Sequence, residues 1–176
     1  MLEALKLFAA LFGLVCLVAA CATRPPAPEV AGPIVIERDL TGRSTAQGQF
    51  RAITGARRNF TAELNGSWDG RVLTLVEDFA FDDGERDRKT WRLERLSNGE
   101  WRGTREDVVG YARGFSDGAV FRLEYDVVLD GRRVRFRDVL ALQAGGVILN
   151  TATVGWLGLS VGSVSLIIER QPAAAL

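Results

Sequence analysis

Residues 119–142 read AVFRLEYDVVLDGRRVRFRDVLAL, and this stretch decides the fold. Apolar and polar residues alternate on both sides of Asp130-Gly131, a dipeptide that favours a two-residue hairpin turn. One face of the predicted hairpin carries the pairs Val127–Val134, Tyr125–Phe136, Leu123–Asp138 and Phe121–Leu140. The opposite face sets Asp126 against Arg135, which is a favourable cross-strand charge pair.

A second hairpin is predicted around Asp69-Gly70. A two-residue turn there gives the pairs Leu64–Leu75, Ala62–Glu77 and Phe60–Phe79. One face is then apolar except for Glu77. A slip of one residue in either hairpin would turn its apolar set toward solvent, so the pattern specifies which face is buried.

Further turn dipeptides and the absence of proline extend this pattern over residues 34–171. The turns are Asp83-Gly84, Asn98-Gly99, Asp117-Gly118 and Gly145-Gly146. Strands are expected near 45–54, 58–68, 71–81, 88–96, 100–108, 119–129, 132–142, 147–154 and 159–170, with a short helix as an option within 153–162. We predict an all-β, antiparallel up-and-down β-barrel or strongly curled sheet of about eight strands.

Composition excludes several kinds of chemistry. The chain has 22 basic and 22 acidic side chains, so no net charge would gather nucleic acid. It has no histidine, which excludes Ser-His-Asp and Cys-His catalysis and histidine-ligated metals. We predict no metal and no cofactor.

The N-terminus has the features of an export signal. Residues 1–20 combine a short polar start with an apolar run, and Leu17-Val18-Ala19-Ala20-Cys21 resembles the bacterial lipobox, in which the cysteine is lipidated. We predict removal of residues 1–20, a lipidated Cys21 within a proline-rich tether over 21–33, one barrel domain over 34–171 and a tail over 172–176. Because no aspartate follows Cys21, the bacterial outer membrane is the expected location, facing the periplasm, with retention at the inner membrane as the alternative.

Glu77 and Asp138 are carboxylates on otherwise apolar faces. Such groups must be paired, hydrogen-bonded or protonated. Three roles stay open: a buried ion pair that fixes register, a polar contact to a bound ligand, and an acid/base pair. Possible partners are Arg92, Arg95, Arg105 and Tyr125.

Aromatic residues supply the other candidate contacts. Phe79, Phe136 and Tyr125 are expected to face the interior of the barrel. Gly110, Gly114 and Gly118 bracket Tyr111 and Phe115, and this spacing predicts a flexible loop at the barrel rim or a bulged strand. A rim loop would place Tyr111 and Phe115 as a gate for a ligand.

Several motifs together resemble a family of uncharacterised bacterial lipoproteins, a domain of unknown function with a lipocalin-like fold. They are Glu77-x-Phe79-x-Phe81-Asp82-Asp83-Gly84, Trp91, Asp107-Val108-Val109-Gly110-x-Ala112-x-Gly114, Gly118-Ala119, Tyr125, Asp138, Asn150-x-Ala152, Gly158 and Gly162. The resemblance implies a lipidated, membrane-facing β-domain and brings no activity with it. Asn150 of this pattern joins the candidate ligand contacts.

Three functions compete. The leading hypothesis is a membrane-anchored module that binds or carries a lipid or other small apolar molecule, since barrels of about eight strands can enclose one small ligand. The second is a structural or assembly lipoprotein with a filled barrel and an unknown protein partner. The third, a lipid-modifying enzyme that uses Glu77 and Asp138, is disfavoured because few other reactive side chains are present.

Overall fold

Ten antiparallel strands form most of the described part of the chain, which comprises residues 30–129 and 131–171 of a computed structural model. A single helical turn, α1 (Ile36–Asp39), precedes them. The strands are β1 (Gly42–Ala52), β2 (Arg57–Trp68), β3 (Val72–Phe81), β4 (Arg86–Arg95), β5 (Trp101–Thr104), β6 (Ala112–Asp117), β7 (Val120–Leu129), β8 (Arg132–Leu142), β9 (Ile148–Trp156) and β10 (Leu159–Arg170). Neighbours in sequence pair with one another, and β1 pairs with β10 to close the barrel.

The all-β antiparallel barrel is therefore confirmed, with ten strands instead of about eight. The expected strand over 100–108 is the short β5, and β6 lies where a rim loop was an option. The optional helix within 153–162 is wrong. Those residues form the β9–β10 hairpin, which turns at Leu157-Gly158.

The β7–β8 register is confirmed. Tyr125 lies opposite Phe136, and Leu123 lies opposite Asp138. On the outer face Asp126 accepts hydrogen bonds from Arg135 at 2.7 and 3.0 Å, which stabilises the predicted charge pair.

The β2–β3 register is shifted from the prediction by two residues. Glu77 lies opposite Leu64 because the connection contains four residues, 69–72, instead of two. The Asp69 carboxylate accepts hydrogen bonds from the backbone N–H groups of Arg71 and Val72, which stabilises this longer turn. An even shift preserves the faces, so Glu77 still points inward.

The two ends of the barrel differ. We call one the capped end; α1 lies there with the loops 69–71, 96–100, 118–119 and 143–147. We call the other the mouth end; it contains the loops 53–56, 82–85 and 105–111 and the β7–β8 and β9–β10 turns. The chain enters at the capped end, where the Ala31 N–H donates to the Leu142 carbonyl and the Ile34 N–H to the Ala119 carbonyl.

The capped end is closed by apolar packing. Ile34, Ile36 and Leu40 from the segment around α1 are at most 6 % exposed and belong to the core. Gly66 on β2 makes this possible, because a Cβ at that position would lie 1.8 Å from the Leu40 carbonyl oxygen. Within the described ranges, no helix has the length and apolar character needed to cross a bilayer.

Candidate functional site

Three polar side chains lie together on the inner wall of the barrel. Glu77 on β3, Asp138 on β8 and Tyr125 on β7 are each no more than 8 % exposed. The Tyr125 hydroxyl donates a hydrogen bond to Asp138 Oδ2 at 3.1 Å, and the Asn150 side chain lies close enough to Asp138 to lower the pKa of that carboxyl. The structure thus brings together four of the residues that the sequence selected.

Arg105 supplies the positive charge of this cluster. Its Nη1 lies 4.0 Å from Glu77 Oε2, and its guanidinium lies over the rings of Trp91 at 4.6 Å and Tyr125 at 5.2 Å. Stacking on aromatic faces stabilises a guanidinium that has been withdrawn from water. Of the three candidate partners Arg92, Arg95 and Arg105, therefore, the last faces the carboxylates.

Arg105 is shared with a more exposed carboxylate nearer the mouth end. Its Nε and Nη2 donate to Asp107 at 2.7 and 3.2 Å. Lys89 Nζ lies 3.7 Å from Asp107 and 3.0 Å from Asp87. A chain of alternating charges therefore leads from the buried carboxylates toward the mouth end.

Three oxygen atoms in the cluster have unused hydrogen-bonding capacity. Glu77 Oε2, Asp138 Oδ1 and Asn150 Oδ1 are buried, and each lacks a hydrogen-bond partner among the described residues. Buried acceptors are almost always satisfied in folded proteins, and an unmet one costs about 1–3 kcal/mol. Three in one cluster form a site that is ready to accept hydrogen bonds from a donor.

Burial sets the protonation of the two carboxyls. Withdrawal from water raises the pKa of Glu77 to about 7, although the Arg105 charge opposes the rise. Burial likewise raises the pKa of Asp138 to about 7 against the charge of Arg105, the hydrogen bond from Tyr125 and the nearby Asn150 side chain. Both groups therefore titrate near neutral pH, where a ligand bound beside them could change their charge.

This arrangement predicts a barrel that becomes less stable as the pH rises. A carboxyl with a raised folded-state pKa binds its proton more tightly in the folded than in the unfolded chain, so the stabilisation is complete below about pH 4 and is lost as the pH passes about 7. We expect the free energy of unfolding to fall across this window. In the double variant Glu77→Gln/Asp138→Asn the fall should largely disappear, whereas Glu63→Gln, an exposed outer-face control, should retain it. Urea denaturation across the pH range is the measurement, and a stability that rises with pH would contradict the assignment.

Aromatic side chains extend the inner wall from the cluster toward the mouth end. Phe136 stacks on Tyr125 with ring centroids 5.3 Å apart. Phe79 contacts Phe60 at 5.6 Å and Phe81 at 6.1 Å. The inward orientation predicted for Phe79 and Phe136 is as expected.

Tyr111 and Phe115 lie apart from this cluster, Tyr111 in the 105–111 loop at the mouth end and Phe115 on β6. Phe115 belongs to β6, in which Ala112 and Gly114 face inward, so Phe115 points outward by strand alternation. Tyr111 is 65 % exposed, with the guanidinium of the outward-facing Arg102 over its ring at 5.2 Å. Neither side chain reaches the carboxylate cluster.

Sequence reasoning left Trp91 and Asp107 out of the site and did not single out Arg105. The signal for Arg105 is the alternation Trp101-x-Gly103-x-Arg105, which places all three on the inner face once the β4–β5 connection is read as five residues, 96–100. Among the described residues, no group of three or more histidine, cysteine, aspartate or glutamate side chains is placed to hold a metal ion.

Comparison with known proteins supports the fold. The S-type phycobiliprotein lyase CPES from Guillardia theta is 8 % identical, with a TM-score of 0.56 over 78 % of this chain and 92 % of that one. Rv2717c from M. tuberculosis is 14 % identical, with a TM-score of 0.55 over 77 % of this chain and 94 % of that one. Both are similar lipocalin-like barrels, and at these identities the likeness concerns the fold alone.

Among curated proteins, none matches this chain. A family profile described as a protein of unknown function, DUF3833, matches residues 15–170. This match spans the barrel and confirms the family that the sequence motifs indicated. The chain therefore belongs to the DUF3833 family.

Proposed function

We propose that this protein binds a small ligand with an apolar body and a hydrogen-bond-donating head inside its barrel. The observation that carries the proposal is the set of three buried acceptors without partners, Glu77 Oε2, Asp138 Oδ1 and Asn150 Oδ1. A donor group on the ligand would satisfy them. A binding pocket of this kind, mostly apolar with a few converging polar atoms, is the usual form of a small-molecule site.

The side chains inside the barrel are packed less tightly at the mouth end than at the capped end, which supports entry of a ligand from the mouth end. At the capped end, Leu73, Leu93 and Trp101 are at most 4 % exposed. Toward the mouth end the inward-facing aromatics are only partly buried; they are Phe50, Phe60, Phe79, Phe81 and Phe136. Gly48 on β1 makes room for one of these rings, since a Cβ there would lie 2.4 Å from the Phe60 ring. An apolar ligand body would lie against these rings.

Charge favours a cationic head, such as a protonated amine. The charged groups of the cluster are Glu77, Asp138, Asp107, Asp87, Arg105 and Lys89. When all are ionised, the four carboxylates exceed the two cations by two negative charges. A bound ammonium group would reduce this excess and donate up to three hydrogen bonds.

The test compares two probes that differ only in the head group, a dansyl-labelled undecylamine and the matched dansyl-labelled undecanoic acid. The core lies within the described ranges 30–129 and 131–171, so the titration uses the domain without residues 1–23. We expect the amine to bind at least about tenfold more tightly than the acid, a difference of about 1.4 kcal/mol. The variant Glu77→Gln/Asp138→Asn should lose this preference, and Glu63→Gln should keep it. Equal affinity for both probes, or none for either, would refute the proposed head group.

We further propose that the barrel is held at a membrane through a lipid on Cys21, in the bacterial envelope. The lipobox-like stretch and the tether up to residue 29 lie outside the described residues, so this part rests on the sequence alone. The described chain begins at the capped end. A tether attached there does not cover the mouth end, where a ligand would enter.

A further inference from the structure

Large apolar side chains are exposed almost entirely at one end of the barrel. Ten such residues are exposed in the described ranges, and seven of them form a crescent on the mouth-end loops and strand ends: Ile53, Val109, Val128, Leu129, Trp156, Leu157 and Leu159. Leu157 and Leu159, at the β9–β10 turn, are 81 % and 69 % exposed. Scattered apolar residues are ordinary on a protein surface, but a contiguous patch marks an interaction site.

The crescent is continuous because the loops that form it are neighbours around the barrel. The Ile53 N–H donates to the Val161 carbonyl at 2.9 Å, which joins the β1–β2 loop to β10. The Val109 N–H donates to the Asp126 carbonyl at 2.8 Å, which joins the 105–111 loop to β7. Between these contacts lie the β7–β8 and β9–β10 turns, whose strands β8 and β9 pair directly.

Arginine side chains border the crescent. Arg132 lies over the Trp156 ring at 5.5 Å, and Arg51 and Arg57 flank the β1–β2 loop. Within the described part of the chain, none of these three forms an ion pair. Two of the mouth-end carboxylates, Asp83 and Glu85 in the β3–β4 loop, lie across from the crescent and pair with Arg58. Asp107, in the loop that carries Val109, pairs with Arg105 and Lys89.

The conformation of Leu157 adds a second argument. Its φ of 49° lies in the left-handed region, and it is the one such non-glycine residue in the described ranges. Asparagine or glycine adopts this conformation more readily than leucine does. The turn therefore carries an exposed apolar side chain at a position where both backbone preference and solvation favour a polar residue.

We propose that this crescent docks the mouth of the barrel onto the surface of a lipid bilayer that contains anionic lipid. Trp156 and the leucines enter the interfacial region, where tryptophan is favoured, and the three arginines lie at the level of the phosphates. Docking in this way opens the barrel interior toward the bilayer. A second copy of the chain fits the crescent less well, because a two-fold interface would bring the same three arginines together.

The test reads the orientation of the full chain on vesicles of phosphatidylcholine and phosphatidylglycerol with brominated acyl chains. Bromine quenches tryptophan at short range, and interfacial side chains enter the boundary region by about 5–10 Å. Trp68, Trp91 and Trp101 point into the barrel, so the variant Trp156→Phe identifies the signal of Trp156. The unprocessed chain used here keeps the apolar residues 7–20, which can hold it on the vesicle in any orientation. Quenching therefore reports docking of the mouth and not attachment as such.

We expect bromolipid to quench Trp156, and we expect the double variant Leu157→Asp/Leu159→Asp to lose this quenching while it stays on the vesicles. The control is Ile167→Asp, which introduces one aspartate at an exposed apolar position on the outer wall and should be quenched like the unmodified chain. Unchanged circular dichroism of the double variant confirms its fold. Quenching that is absent, or that persists in the double variant, overturns the proposal. The proposal is also overturned if acrylamide does not quench Trp156 in the absence of vesicles, because part of this chain or a second copy would then cover the crescent.

Discussion

Replacement of Arg105 by alanine is expected to lower the free energy of unfolding by about 3–5 kcal/mol near pH 8, the range measured when one partner of a buried ion pair is removed. The guanidinium is the cation nearest to Glu77, and it opposes the rise in the pKa of both Glu77 and Asp138. Without it, neither buried carboxyl has a cation within 4.0 Å among the described residues. The loss of its stacking on Trp91 adds to the effect.

The control for this variant is Arg92→Ala, on the adjacent strand β4, where the side chain is exposed. Its effect should stay within about 0.5 kcal/mol, as for most surface substitutions. Near pH 5 the loss in Arg105→Ala should be smaller than near pH 8, because folded Glu77 and Asp138 are then protonated and need no counter-charge. Equal losses for Arg92→Ala and Arg105→Ala would mean that Arg105 does not neutralise the cluster.

Gly66→Ala is expected to destabilise the barrel by at least about 3 kcal/mol, at the upper end of the range for overpacked sites. The added Cβ would lie 1.8 Å from the carbonyl oxygen of Leu40, and backbone cannot move aside as a flexible side chain can. The segment around α1 must therefore shift, and this exposes Ile36 and Leu40, which are 2 % and 4 % exposed in the native barrel.

Gly32→Ala provides the matched comparison near the capped end. A Cβ there meets no atom within 4 Å, and no positive φ constrains the residue. Thermal unfolding and hydrogen exchange of the Ile36 and Leu40 amides would distinguish the two variants. If Gly66→Ala melted like Gly32→Ala and kept its amide protection, the close packing of α1 against β2 would be wrong.

The inward orientation of Glu77 and Asp138 could be predicted because strand alternation depends on parity and not on the exact turn. The β7–β8 hairpin follows its sequence pattern directly. At β2–β3 the backbone N–H groups of Arg71 and Val72 donate hydrogen bonds to the Asp69 side chain, and these bonds stabilise a longer turn. An Asp-Gly dipeptide alone does not distinguish this turn from a two-residue turn. The resulting shift of two residues changes every pair and leaves each side chain on its predicted face.

Strand β6 and the place of its aromatics could not be predicted because its inward positions are too small to show alternation. Ala112 and Gly114 leave room for the rings of Trp101 and Phe121, which fill the interior from neighbouring strands; a Cβ at Gly114 would lie 2.6 Å from the Phe121 ring. The glycine spacing therefore predicts a loop in which Phe115 acts as a gate. In the structure this segment is a strand, and Phe115 faces outward. The sequence also does not show which of Arg92, Arg95 and Arg105 faces the carboxylates, because the answer depends on the length of the β4–β5 connection.

The most direct test of the ligand site is native mass spectrometry of the protein as it is purified from its own membrane in mild detergent, with Cys21 as the expected first residue. We predict a non-covalent adduct of one small molecule per chain, a mass increase on Cys21 from its acyl groups, and loss of the adduct in Glu77→Gln/Asp138→Asn but not in Glu63→Gln. A chain with no non-covalent adduct, together with unchanged thermal stability on addition of the dansyl-labelled undecylamine, would contradict the account and indicate a barrel filled by its own side chains.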